Sequence, residues 1–195
     1  MNTKVIGVIV TFSALTIILS QIRIPLPFPP PGFSYQLYQI PIVIAFLLIG
    51  PKYGFIVALL NMLVNMLIPT GPLGVLGPPF MFLVTLSLLL GIYVASKISE
   101  FRGFNNDKNI GWKKITIFSL VATGFRAIFV LPVDFFVFGY FLSMALGMTV
   151  SDAFAYAYGI MGGIVIFNLI VAIYVSVVSY FVFIKIRPVF EKYIF

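Results

Sequence analysis

The chain has 195 residues, of which 62% are hydrophobic, 17% aromatic and only 9% charged. Soluble domains carry about 25% charged residues, so this is the composition of an integral membrane protein, and at about 20 apolar residues per crossing it holds six spanning helices with no separate soluble domain. The absence of Cys and His excludes structural zinc, haem ligation, thiol nucleophiles and imidazole acid–base chemistry, and the net charge of +7 is to be explained first by orientation in the bilayer rather than by nucleic acid.

The first apolar run, 5–22, follows Lys4 and continues into Gln21-Ile22-Arg23. Signal-peptide cores are about 7–15 residues long and end at an A-x-A-like site, so this run is expected to be a permanent helix. Gly7, Thr11 and Ala14 fall on one side of it. Such a stripe is either a packing face inside the bundle or a docking surface for another membrane protein. The connection that follows holds Pro25, Pro27, Pro29, Pro30 and Pro31. It is stiff and non-helical, and reads either as a shaped cover over the bundle mouth or as a plain rigid connector.

Runs 37–50 and 53–68 are separated by Gly50-Pro51-Lys52. One helix from Leu37 to Ile68 would be about 48 Å long and would have to pass a Gly-Pro break, so an antiparallel pair of short helices is expected. Asn61 and Asn65 lie four apart on one face of the second. A second stiff connection, Pro69-Thr70-Gly71-Pro72 then Gly77-Pro78-Pro79, leads to run 79–98, and a polar Gly/Asn-containing loop over 100–109 leads to run 115–141. The sixth run, 159–184, opens with Gly159-Ile160-Met161-Gly162-Gly163, a small-residue packing pattern.

With six spans and an inside N-terminus, Lys4, Lys52, the five cations around the fourth connection and Lys185, Arg187 and Lys192 all fall on the cytoplasmic side. Ten of the 12 cations are then inside, Arg23 is outside and Arg126 is in the membrane. That asymmetry is the positive-inside rule, and it places both termini in the cytoplasm.

Ionisable groups within the bilayer are costly and are functional candidates for that reason. Arg126 lies 13 residues beyond Lys113, about 20 Å deep. It either holds an anionic or carbonyl-bearing ligand or is paired internally, Asp134 being the nearest acid in sequence. Asp134 follows Pro132, which is expected to break or kink the helix near the outer face and leave the carboxylate solvated. Asp152 is expected in the outer loop as a surface charge. Asn168 sits nine residues into the sixth run, about 14 Å from its outer end. It, like Asn61 and Asn65, is open to interhelical bonding or to a ligand's polar edge. Of the 22 Phe, 10 Tyr and one Trp, many gather at the outer side, where an interfacial belt accounts for most and a flat heterocycle could stack on the remainder.

The order of these features resembles the substrate-binding S components of energy-coupling-factor (ECF) vitamin transporters, and among them the riboflavin-specific type. Tyr35-Gln36-Leu37-Tyr38-Gln39-Ile40-Pro41, followed by Gly50-Pro51-Lys52-Tyr53-Gly54, is similar to that family's Y-D-F-S-D-I-P and G-P-x-x-G segments. Arg126 with Asp134 eight residues later is similar to its R-x-x-x-M-T-x-x-N stretch, and Ile166-Phe167-Asn168-Leu169-Ile170 to its P-F-N-L-I-K segment. Both motif aspartates are Gln here (Gln36, Gln39), the Asn is Asp134, and Val171 stands in place of the Lys. These departures change the charge of the pocket and keep another vitamin or vitamin-like compound open as ligand. The resemblance implies an all-α bundle with a ligand pocket near the outer face under the first connection, contacted by Asn168, Arg126, Asp134, Tyr35, Gln36, Tyr38, Gln39 and Asn65. It also implies docking, through the face of Gly7, Thr11 and Ala14, to a transmembrane T component and two ATPases in the cell membrane. No cofactor or metal is expected.

The chain contains no G-x-x-x-x-G-K-[ST] loop, so ATP hydrolysis falls to partners. An intramembrane enzyme acting on lipid would rely on Asp134, Asp152 and Arg126 alone, short of the paired titratable groups such chemistry needs. A channel or self-sufficient transporter would show charge rings or internal repeats, and neither is evident.

Overall fold

The structure, a computed structural model, describes residues 3–22, 24–25, 34–68, 74–101 and 112–194. The prolines of the first connection beyond Pro25, the Pro69-Thr70-Gly71-Pro72 segment and the polar loop after the fourth helix lie outside the described residues. Among the described residues six helices follow in order: α1 (Thr3–Gln21), α2 (Gln39–Ile49), α3 (Pro51–Leu67), α4 (Gly77–Phe101), α5 (Trp112–Leu146) and α6 (Val150–Ile194), with a 3-10 turn at Gly74–Leu76. Four of them, α1, α4, α5 and α6, contain stretches long and apolar enough to cross a membrane; α2 and α3 are shorter.

The central element is the shortest. The sequence of α2, Gln-Ile-Pro-Ile-Val-Ile-Ala-Phe-Leu-Leu-Ile, is apolar on every side after its first residue, and a helix of that kind must be covered all round. It is: α2 packs against α1, α3, α4 and α6, and all but two of its 11 residues are buried. At about 16 Å it is only half as long as a hydrocarbon core is thick. Its first turn therefore starts inside the bundle, and the polar Gln36 and Gln39 are carried there with it.

Glycines set the close crossings. Gly50, at φ 104°, occupies a region that disfavours any side chain. Its carbonyl accepts from the N–H groups of Tyr53 and Gly54 and so starts α3. A Cβ on Gly54 would lie 2.5 Å from the Cβ of Phe46, and one on Gly91 would lie 2.7 Å from the Cα of Ala122. Backbones at these α2–α3 and α4–α5 contacts are closer than any side chain permits. In lipid such packing, rather than expulsion of apolar surface from water, holds helices together. A single buried cluster joins residues of all six helices, among them Phe12, Ile42, Val57, Leu88, Phe118 and Val175.

Three expectations are corrected. Helix α5 runs through Pro132 without interruption. Helix α6 begins at Val150, nine residues before the apolar run, so Asp152 belongs to its first turn and not to a loop. There the Thr149 hydroxyl donates to Asp152 Oδ2 (2.7 Å) and accepts from the Asp152 N–H (3.2 Å), a side-chain cap that satisfies one N–H of the first turn. At its other end α6 continues past Lys185 and Arg187 to Ile194. Hydropathy marks only the lipid-embedded part of a helix, whereas backbone hydrogen bonding carries α6 on to 45 residues, about 67 Å.

Candidate functional site

Helices α2, α4, α5 and α6 place polar side chains on one another at the level where α2 begins. Arg126 of α5 is completely buried. Its Nε donates to Asn168 Oδ1 (3.1 Å), Nη1 to Gln39 Oε1 (2.7 Å) and Nη2 to Gln36 Oε1 (3.0 Å). Gln39 Nε2 passes the chain on to Thr85 Oγ1 of α4 (3.1 Å), which donates to the Met81 carbonyl (2.8 Å). Asn168 Nδ2 donates to Asp134 Oδ2 (2.7 Å) and to the Ile164 carbonyl (3.1 Å).

Arg126 and Asp134 are eight residues apart on α5, about 12 Å along its axis, and Asn168 of α6 spans the gap between them. Asp134 is 3% exposed. Its carboxylate is a member of the network and not the solvated group that the preceding proline suggests. A lone guanidinium in lipid is expensive; here three amide oxygens receive its protons and a buried carboxylate balances its charge one amide away. Three of five guanidinium N–H groups are committed to protein, which leaves one on each Nη for something else.

The segment before α2 is fastened to the same place. The Gln36 N–H donates to the Tyr174 hydroxyl of α6 (2.8 Å), and the rings of Tyr35 and Tyr174 lie 5.9 Å apart. Tyr38 is half-buried, its hydroxyl facing Gln39 Nε2 at 3.5 Å. Further out, Pro25 and Ser34 form an antiparallel bridge, and the Tyr35 N–H donates to the Ile24 carbonyl (2.9 Å). The two ends of the first connection are thus joined directly above the network.

Of the residues expected at the site, Arg126, Asp134, Asn168, Gln36, Gln39, Tyr35 and Tyr38 come together. Asn65 does not. It accepts from Ser20 Oγ (3.0 Å) and Gln21 Nε2 (2.9 Å) and donates to the Asn61 carbonyl (2.8 Å), forming a separate clasp between α1 and α3. Thr85 and Tyr174 are additions that nothing in the sequence singles out, since a lone Thr or Tyr within an apolar run is ordinary in a membrane helix. Gly7, Thr11 and Ala14 are all exposed on α1, opposite its buried side of Ile9, Phe12, Ser13 and Thr16. The stripe therefore lies on the outside of the bundle, and a Cβ on Gly7 would meet nothing within 4 Å. Gly159 and Gly162 likewise face open space. An apolar groove of about 240 Å³ between α4 and α5, lined by Leu83, Val84, Leu90, Phe129, Val130 and Val133 among others, holds no ionisable group, and the described residues contain no cluster of metal-ligating side chains.

Comparison with known proteins adds independent findings. Residues 4–183 match the family model of the ECF transporter substrate-specific component. The chain is 36% identical over 85 residues to the riboflavin transporter RibU of Staphylococcus aureus (strain TCH60), an alignment spanning 44% of each chain. It is 27% identical over 195 residues to the riboflavin transporter FmnP of Bacillus subtilis (strain 168), covering 98% of this chain and 96% of that one. A solved structure of the S component of a bacterial ECF transporter superposes with a TM-score of 0.72 at 28% identity, over 98% of this chain and 99% of the other.

Proposed function

The chain belongs to the family of ECF transporter substrate-specific components, and on that footing we propose that it captures riboflavin at the outer face of the cell membrane and delivers it to an energising module. The observation that carries the ligand assignment is the buried network of Arg126, Gln36, Gln39, Asn168 and Asp134 beneath the closed base of the first connection. A flavin presents an imide edge of two carbonyls flanking an N–H. The two uncommitted N–H groups of Arg126 suit carbonyls of that kind, and Asp134, which uses one carboxylate oxygen on Asn168, has the other free to accept from an N–H or hydroxyl elsewhere on the ligand. Tyr35 and Tyr38 supply aromatic surface for the flat ring. The two named riboflavin transporters among its relatives support the same ligand.

The subunit does no chemistry of its own. Both termini and the connection between α4 and α5 face the cytoplasm, on the cation count. The energising module consists of a transmembrane T component and two ATPases, and the exposed stripe of Gly7, Thr11 and Ala14 is its contact on α1, since small residues let a partner helix approach closely.

The test is uptake of radiolabelled riboflavin by cells that lack other routes, expressing this chain with and without a T component and ATPases. Uptake that requires all the subunits is expected. Uptake by the chain alone, or uptake of a different vitamin with riboflavin ignored, would contradict the assignment.

A further inference from the structure

Beyond the Arg126 network, toward the end of α5 that carries Trp112, the facing sides of α5 and α6 hold a second set of polar side chains. Ser119 and Thr123 stand seven and three residues before Arg126, on the same face of α5. Ser176 stands eight residues after Asn168 on α6. The Arg126–Asn168 hydrogen bond and the contact of the Phe118 and Tyr180 rings, 4.7 Å apart, fix the register of the two helices. Ser176, one turn before Tyr180, therefore lies at the height of Ser119 and Thr123.

The hydroxyl oxygens of Ser119, Thr123 and Ser176 are buried and have no hydrogen-bond partner among the described residues; Ser119 is 8% and Ser176 1% exposed. Several other helical hydroxyls bond back to the preceding turn, as Thr16 does to Phe12 (2.7 Å), Thr85 to Met81 (2.8 Å) and Ser96 to Ile92 (2.9 Å). These three do not take that option. The fourth such hydroxyl, Ser13, lies on α1 and outside this seam. Convergent buried polar groups without protein partners are where internal water is held, and Ala172, between Asn168 and Ser176, puts only a methyl group in the way.

We propose that Ser119, Thr123 and Ser176 bind ordered water in the α5–α6 seam, and that this water continues the Arg126 network into a polar column of about 22 Å from Asp134 to Ser119. Water then reaches the buried charges from the end of the bundle opposite the first connection. Where the network is the ligand site, which rests on the function proposed above, the column rehydrates Arg126 and Asn168 as the ligand leaves. The hydration itself does not depend on that reading.

The test measures thermal unfolding of the purified protein for Thr123→Val, Ser176→Ala and the double variant, without ligand. Removing a dry, unpaired hydroxyl raises Tm, whereas removing one that holds water lowers it. Each single variant is expected to lose about 2–4 °C, and the pair less than the sum because they share the same water. A rise in Tm, or two losses that simply add, overturns the proposal. If a deletion prevents folding, near-isosteric single cysteines decide, since the chain has none of its own. Thr123→Cys and Ser176→Cys are expected to react with methanethiosulfonate ethylammonium at least tenfold faster than Val171→Cys and Val175→Cys, whose positions are fully buried; equal rates overturn it. Riboflavin binding is not read in either arm, so failure here leaves the assigned ligand standing.

Discussion

Arg126 is surrounded by the planar amides of Gln36, Gln39 and Asn168, one for each of its three nitrogens; a planar guanidinium spreads its donors over three nitrogens, whereas a lysine ammonium offers its three from a single point. Arg126→Lys keeps the charge and loses that fit, so riboflavin affinity should fall at least tenfold, about 1.4 kcal/mol, by fluorescence titration; unchanged affinity would remove Arg126 from the ligand site. Asn168 couples the two charges, so Asn168→Ala and Asp134→Ala should not add. Thermal unfolding of both singles and the double is expected to give a coupling of about 0.5–3 kcal/mol, and strict additivity would mean that Asn168 does not bridge them. Much of this site is legible in the sequence, because Arg126 and Asn168 are polar residues inside long apolar runs and lipid leaves such groups no solvent. Asp134 was legible only as a candidate. The proline two residues before it reads as a helix break, but in the bundle neighbouring helices carry the chain through. Gln36 and Gln39 stand out through resemblance alone, since two amides beside a proline-rich stretch read as loop.

At the scale of single elements, α2 decides where the site lies. It is too short to cross a bilayer, and its burial on all sides lifts its polar first turn into the protein. The short run and the Gly50-Pro51 break are plain in the sequence; that α2 sits at the centre is not, because periodicity vanishes in a helix buried all round. Its packing depends on Gly54. Gly54→Ala would drive a methyl group into the backbone of Phe46 and should cost about 1–3 kcal/mol. Gly124→Ala, where nothing lies within 4 Å, should leave Tm unchanged or slightly raised. Equal behaviour of the two variants would show that α2 and α3 do not approach as described. The outer limits of α5 and α6 escaped the sequence for a different reason. Apolar runs end where lipid ends, and these helices do not.

For the whole molecule, the distribution of Lys and Arg predicts which side each connection faces. In intact cells, a single cysteine at Asn106 should be unreactive toward a membrane-impermeant thiol reagent, and one at Met148 reactive. The reverse pattern would invert the bundle and place the Arg126 network near the wrong entrance. The six-helix architecture followed from composition and run lengths; the convergence of four helices on the network around one guanidinium did not, since it depends on which helices become neighbours.

The central claim is that this buried network is the floor of a riboflavin site. The most direct measurement is a titration of the purified, ligand-free protein with riboflavin, following quenching of flavin fluorescence. Stoichiometric quenching at submicromolar riboflavin, weakened in Asn168→Ala, is the predicted result. Saturable quenching that Asn168→Ala leaves untouched, or no quenching by the folded protein, would contradict it.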